Sequence, residues 1–192
     1  MLALVNDFHL AQVNVGRILA PLDTPQLSDF VAQLPEINAV ADQAPGFVWR
    51  MVDDGGADST DLRPEADDRM LLINCSVWES VEALQDFTYR SAHLKVLARR
   101  REWFERLAEF HHAMWWVPAG HRPSMAEAMD RIALIRAEGE GPGAFTFRSP
   151  HPPPAGPSAV SSPELSAGTD IPRQEPGTSA EPRTSALGTP AP

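Results

Sequence analysis

Eleven of the chain's 19 prolines lie between Ser149 and Pro192, and this break in composition bounds what can fold. Serine, threonine, alanine and glycine fill the spaces between them, and only Val160, Leu165, Ile171 and Leu187 offer aliphatic bulk. Four such side chains so far apart cannot offset the entropy of ordering the segment. Residues 149–192 are therefore expected to form a disordered tail, passive rather than a tether or a ligand for a proline-recognising domain. The folded domain is expected within residues 1–148, one domain being the prior for a chain of 192 residues.

Upstream, strand and helix signals alternate in a fixed order. Phe8–Val15 alternates as a strand. Thr24 then reads as an N-cap with Pro25 at the first helical position, followed by the stripe Leu27, Phe30, Val31 and Leu34. Pro35 is expected to kink or restart this helix, which Pro45-Gly46 ends. Phe47–Val52 and Met70–Trp78 read as strands two and three. The loop between them, residues 53–68, holds seven acids and one arginine and reads as a mobile hairpin excursion. Ser80 caps a long helix with a bend near Ser91, and His112–Val117 is the fourth strand. Ser124 and Glu127 form a capping box for a last helix that stops at Gly139, and Ala144–Phe147 could add a short final strand. The order is βαββαβ with an added C-terminal helix. That is a ferredoxin-like α+β arrangement, with an antiparallel sheet and helices on one face.

Charge and composition exclude several function classes. With 26 acidic and 16 basic residues the net charge is −10, which repels phosphate backbones, so no nucleic-acid partner is expected. Arg99-Arg100-Arg101 reads as a solvated helix face rather than a binding patch. The lone Cys75 forms no intrachain disulfide and no cysteine-rich zinc site. No signal peptide and no apolar run long enough to span a bilayer is evident, so no membrane partner and a cytoplasmic location are expected. Phosphate-binding glycine loops, nucleophile elbows and helical zinc-protease histidines are missing from the sequence.

The strands differ between their faces. Ala11, Val13, Val15, Leu71, Ile73, Cys75 and Val77 make an aliphatic face that suits the helices. Phe8, Leu10, Gln12 and Asn14, with Met70, Leu72, Asn74, Ser76 and Trp78, make a mixed face, too apolar for water and too polar for a dry core. Such a face, left uncovered by the helices, reads as a ligand cavity or as an interface with a second copy of the sheet. Trp49 and Arg50, and likewise Trp115 and Trp116, point opposite ways, and either member of each pair could join it.

Five stretches carry a resemblance: Pro35–Asn38, Pro45–Arg50, Ser76–Leu84, Tyr89–His93 and Trp115–Pro123. Together they resemble the bacterial family known only as domain of unknown function 3291, over about residues 8–147. That family resembles the dimeric α+β barrel proteins, the group that includes antibiotic-biosynthesis monooxygenases. The resemblance implies a homodimer in which two sheets close into a barrel, with a possible small-molecule cavity beneath the helices. It supplies no established activity; a small-molecule enzyme of the monooxygenase-like or isomerase-like type, using the mixed face and one histidine, is the function expected.

The candidate ligand-binding residues are Gln12, Asn14, Asn74, Ser76 and Trp78, with His93 and His121 as catalytic candidates at the rim. A neutral imidazole there could act as a general base on a phenol or enol, ligate a haem, or simply fix a loop by hydrogen bonds to backbone. A non-catalytic dimer storing a ligand or haem is the alternative function, and the cofactor is left unassigned. Adjacent His111 and His112 cannot chelate one metal from a strand, and no metal site is expected. His9 lies on the aliphatic face and reads as a hydrogen-bonded core histidine.

Overall fold

The computed structural model describes residues 7–56, 58–64 and 68–155. Its elements are β1 (Phe8–Arg17), α1 (Ser28–Asp42), β2 (Phe47–Arg50), β3 (Leu71–Trp78), α2 (Val81–Arg90), α3 (His93–Arg99), β4 (His112–Pro118) and α4 (Met125–Glu138). A single 3-10 turn, Arg100–Glu102, follows α3. The strands form one antiparallel sheet in the order β2-β3-β1-β4. This is the expected ferredoxin-like fold. β1 and β2 run parallel with α1 crossing between them, and β3 and β4 run parallel with α2 and α3 crossing. Right-handed crossovers of this kind place both helical connections on the same face of the sheet.

The expected open face is closed. Ala11, Val13, Val15, Ile73, Cys75 and Val77 share a buried cluster with Ala128, Ile132 and Ile135 of α4. The aliphatic face therefore packs on α4, not on the two crossover connections. Those cover the mixed face instead, where Leu10, Trp78 and Met114 meet Leu84 of α2, and Leu72 meets Phe30 of α1. α4 escapes the crossover rule because no strand of this sheet follows it in parallel, so it takes the face left free.

Local chemistry explains the element ends and corrects four expectations. Thr24 does not cap α1; its hydroxyl donates to the Pro21 carbonyl at 2.6 Å in a turn, and the helix begins at Ser28. α1 then runs through Pro35 without a second start. The Ser124 hydroxyl does accept from the Glu127 N–H at 3.1 Å, but the Glu127 carboxylate leaves the capping box for other partners. Ser80 caps α2 as expected, accepting from the Ala83 N–H at 3.1 Å. The bend near Ser91 is a full break: its hydroxyl turns back to the Phe87 carbonyl at 2.6 Å and α3 starts afresh.

The acidic hairpin loop is pinned where it is described. The Ser59 hydroxyl donates to the Ile73 carbonyl at 2.7 Å, and Asp68 pairs with Arg17. The final strand shrinks to one rung, in which Met114 and Phe145 exchange both backbone hydrogen bonds. Structure also continues past residue 148. The Trp116 indole N–H donates to the His151 carbonyl at 2.8 Å, and the His151 ring lies 5.6 Å from that of Phe145. The rest of the expected tail, residues 156–192, lies outside the described residues.

Candidate functional site

Between the mixed face and the helices lies an open cavity of about 780 Å³, formed within one chain. The strand register builds this side of the sheet in rows, of which His112, Asn14, Asn74, Gln12, Ser76, Arg50, Trp78 and Phe47 reach the cavity. One row runs His112, Asn14, Asn74 across β4, β1 and β3; the next runs Met114, Gln12, Ser76, Arg50; a third runs Trp116, Leu10, Trp78, Phe47. Polarity therefore falls along the strands, from imidazole and amides at one end to indole and phenyl at the other. Phe30, Leu34, Ile37 and Ala41 of α1 form part of the roof at helical spacing, joined by Leu84, Phe87 and Thr88 of α2.

Gln12, Asn14, Asn74, Ser76 and Trp78 all come together on this floor. The Gln12 amide spends both N–H groups, on Asn74 Oδ1 at 2.8 Å and Ser76 Oγ at 2.9 Å. Its carbonyl accepts from Asn14 Nδ2 at 3.4 Å. Ser76 Oγ also accepts the Trp78 indole N–H at 2.8 Å. Two acceptances fill the serine oxygen, so its hydroxyl hydrogen remains to be donated. The Asn74 amide N–H groups have no partner among the described residues, and Asn74 and Asn14 are exposed to the space above them. The floor is thus an ordered ladder that offers donors to whatever occupies the cavity.

His93 lines the same cavity, held in an aromatic run. Phe47 meets Trp78 edge-on at 5.3 Å, Trp78 stacks on Phe87 at 5.0 Å, and Phe87 lies 4.9 Å from His93. The Nδ1 atom of His93 is 3.4 Å from the Thr88 carbonyl. A carbonyl can only accept, so Nδ1 carries the proton and Nε2 keeps the lone pair. Burial lowers the His93 pKa against the opposing pull of that carbonyl, which keeps the ring neutral. His121 is elsewhere. It does not line the cavity; its Nε2 is 2.7 Å from Glu127 Oε2, and the other Glu127 oxygen accepts the Trp115 indole N–H at 3.0 Å. Burial works to raise the Glu127 pKa, but hydrogen bonds from His121 and Trp115 hold it low.

His112, not among the sequence-derived candidates, lines the cavity and stacks on Phe147 at 5.7 Å. Its position was available: it alternates with Met114 and Trp116, in register with Asn14. Burial, and then the neighbouring His111, push its pKa down from 6.5 to about 4. The two ambiguous pairs are resolved, with Arg50 lining the cavity and Trp49 and Trp115 in the α4-side core. Cys75 is buried there too, its thiol pushed up to about 12, which suits packing rather than nucleophilic attack. His9 is not the hydrogen-bonded histidine expected; its buried Nδ1 has no partner among the described residues. Those residues contain no group of three or more potential metal ligands.

The family described as Domain of unknown function (DUF3291) matches residues 9–161, most of the chain. The chain belongs to this family. No curated protein matches the DUF3291 chain. Among solved structures it is similar to SnoaB, a cofactor-independent oxygenase from Streptomyces nogalater, at 17% identity and a TM-score of 0.40. That match covers 59% of this chain and 95% of the other. A provisionally assigned antibiotic biosynthesis monooxygenase from Nitrosomonas europaea shows 10% identity and a TM-score of 0.41, over 64% of this chain and 100% of the other. The ferredoxin-like assignment of the DUF3291 domain rests on its strand order, not on these likenesses. No helix among its described residues is long and apolar enough to cross a membrane.

Proposed function

We propose that the DUF3291 domain is a small-molecule enzyme of the isomerase-like or monooxygenase-like type that begins by abstracting an acidic proton. The observation that carries this reading is the Gln12-centred ladder on the floor of a cavity bordered by a neutral imidazole. In this scheme His93 Nε2 takes a proton from a carbon beside a carbonyl, or from a phenol or enol oxygen. The electron pair moves onto the substrate oxygen, which the Asn74 N–H groups and the Ser76 hydroxyl receive. Return of the proton at another carbon completes an isomerisation; capture of the carbanion by dioxygen begins an oxygenation.

The test starts with native mass spectrometry of protein purified from its own host, to identify the bound compound. In D₂O that compound should gain deuterium at its acidic carbon, and His93→Gln should slow the exchange by about 10²–10⁴-fold. Equal exchange rates would remove His93 from the reaction. The alternative, a store for a ligand or haem, uses the same free Nε2, and a Soret band on the purified protein would select it. Homodimerisation belongs to the same reading, on the family resemblance. Both sheet faces are covered within one chain, so the partner would meet helices or a sheet edge; a monomer by light scattering at micromolar concentration would end it.

A further inference from the structure

The cavity wall reverses the charge of the chain. Against a net charge of −10, it is lined by Arg50, Arg100, Arg101 and Arg106, opposed by Asp58 and Glu105. Arg50 is already paired with Asp42, and Asp58 accepts from Thr60. Of the four arginines that line the cavity, Arg100, Arg101 and Arg106 have no carboxylate within ion-pair distance among the described residues; Arg100 donates to the Leu97 carbonyl at 3.3 Å. All three are exposed, which puts them at the rim.

Their place along the cavity is fixed by backbone. The Leu19 N–H donates to the Trp103 carbonyl at 2.8 Å and the Glu105 N–H to the Arg17 carbonyl at 2.8 Å, tying this segment to the C-terminal end of β1. The aromatic end, at Trp78, pairs with Leu10 near the other end of that strand. Six residues separate Leu10 from Gly16, about 20 Å at ~3.3 Å per residue.

Building on the small-molecule reading above, we propose that the ligand is an elongated amphiphilic anion. Its oxyanion sits among Arg100, Arg101 and Arg106, and its apolar body runs over the amide ladder toward Trp78 and Phe87. A carboxylate and a phosphate ester share the chemistry the rim recognises, since a guanidinium fork suits either.

The experiment uses the full chain and a neutral fluorescent probe, N-phenyl-1-naphthylamine, displaced in turn by dodecanoate, dodecyl phosphate and dodecan-1-ol. At low ionic strength at least one anion should displace the probe about tenfold more tightly than the alcohol, since each exposed ion pair contributes only a few-fold. High salt should narrow that gap. The triple variant Arg100→Gln/Arg101→Gln/Arg106→Gln should close it while leaving probe affinity and melting temperature unchanged. The tighter of the two anions assigns the head group. Equal displacement by alcohol and anions, or a gap that survives the triple variant, overturns the proposal while the cavity reading stands. A probe that does not bind at all overturns both.

Discussion

At the scale of single residues, Gln12 is the hub of the site. Its side chain is buried, and it connects Asn14, Asn74 and Ser76 at once. Gln12→Leu should therefore cost about 1–3 kcal/mol, because Ser76 and the two asparagines lose partners together. Asn74→Leu removes the acceptor of one buried Gln12 N–H, so it should cost about 1 kcal/mol and also weaken ligand binding. A large loss of stability in Asn74→Leu would show that the ladder serves packing. His112 makes a second prediction. Its folded pKa of about 4 lies below the ordinary 6.5, so the unfolded chain binds more protons between those values. Stability from this group is then fully present above about pH 6.5 and lost as pH falls toward 4, by about 3 kcal/mol in all. His93 is lowered too and acts in the same direction. His112→Phe keeps a ring against Phe147 and removes the titration, so its melting temperature should fall less between about pH 7 and pH 4.5 than that of the parent. Parallel curves would refute the burial of His112.

At the scale of elements, the site depends on how closely the α1–β2 turn approaches α2. Gly46 has φ +77°, and a Cβ there would lie 2.6 Å from the Ala83 Cβ. Its carbonyl also accepts the Glu79 N–H at 2.8 Å, just before the Ser80 cap. Gly46→Ala meets both a left-handed backbone and a rigid neighbour, and should destabilise the domain by about 2–3 kcal/mol. Thermal unfolding checks this, and a loss under about 1 kcal/mol would mean that α2 shifts without cost. Most elements were legible because their signals are local: the Ser80 cap, the Gly139 stop and the period-two alternation of β1 and β3 need only neighbouring residues. Thr24 misled for the same reason. A threonine before Pro25 looks like a cap, but its hydroxyl found the Pro21 carbonyl in a turn that no short-range pattern distinguishes.

At the scale of the whole molecule, the boundary of the folded unit can be tested by truncation. Ending the chain after Ala155 should leave the melting temperature unchanged, because residues 156–192 have too little apolar bulk to build on. Ending it after Arg148 removes the carbonyl that the Trp116 indole uses and the ring beside Phe145. That should lower the melting temperature by about 4 °C or more. Identical curves for the two truncations would place the boundary at 148 after all. The sequence by itself determined the element order, hence the ferredoxin-like fold, and the shared face of the five candidate ligand-binding residues, because alternation along a strand assigns every side chain to one of two sides. It could not decide which helices cover which side. Crossover handedness put α1, α2 and α3 over Gln12, Asn74 and Ser76 and left the aliphatic side to α4, and that is a property of the chain's path through space. The same path separated His93 from His121 and set His112 beside Asn14, because side chains far apart in sequence meet only when strands pair.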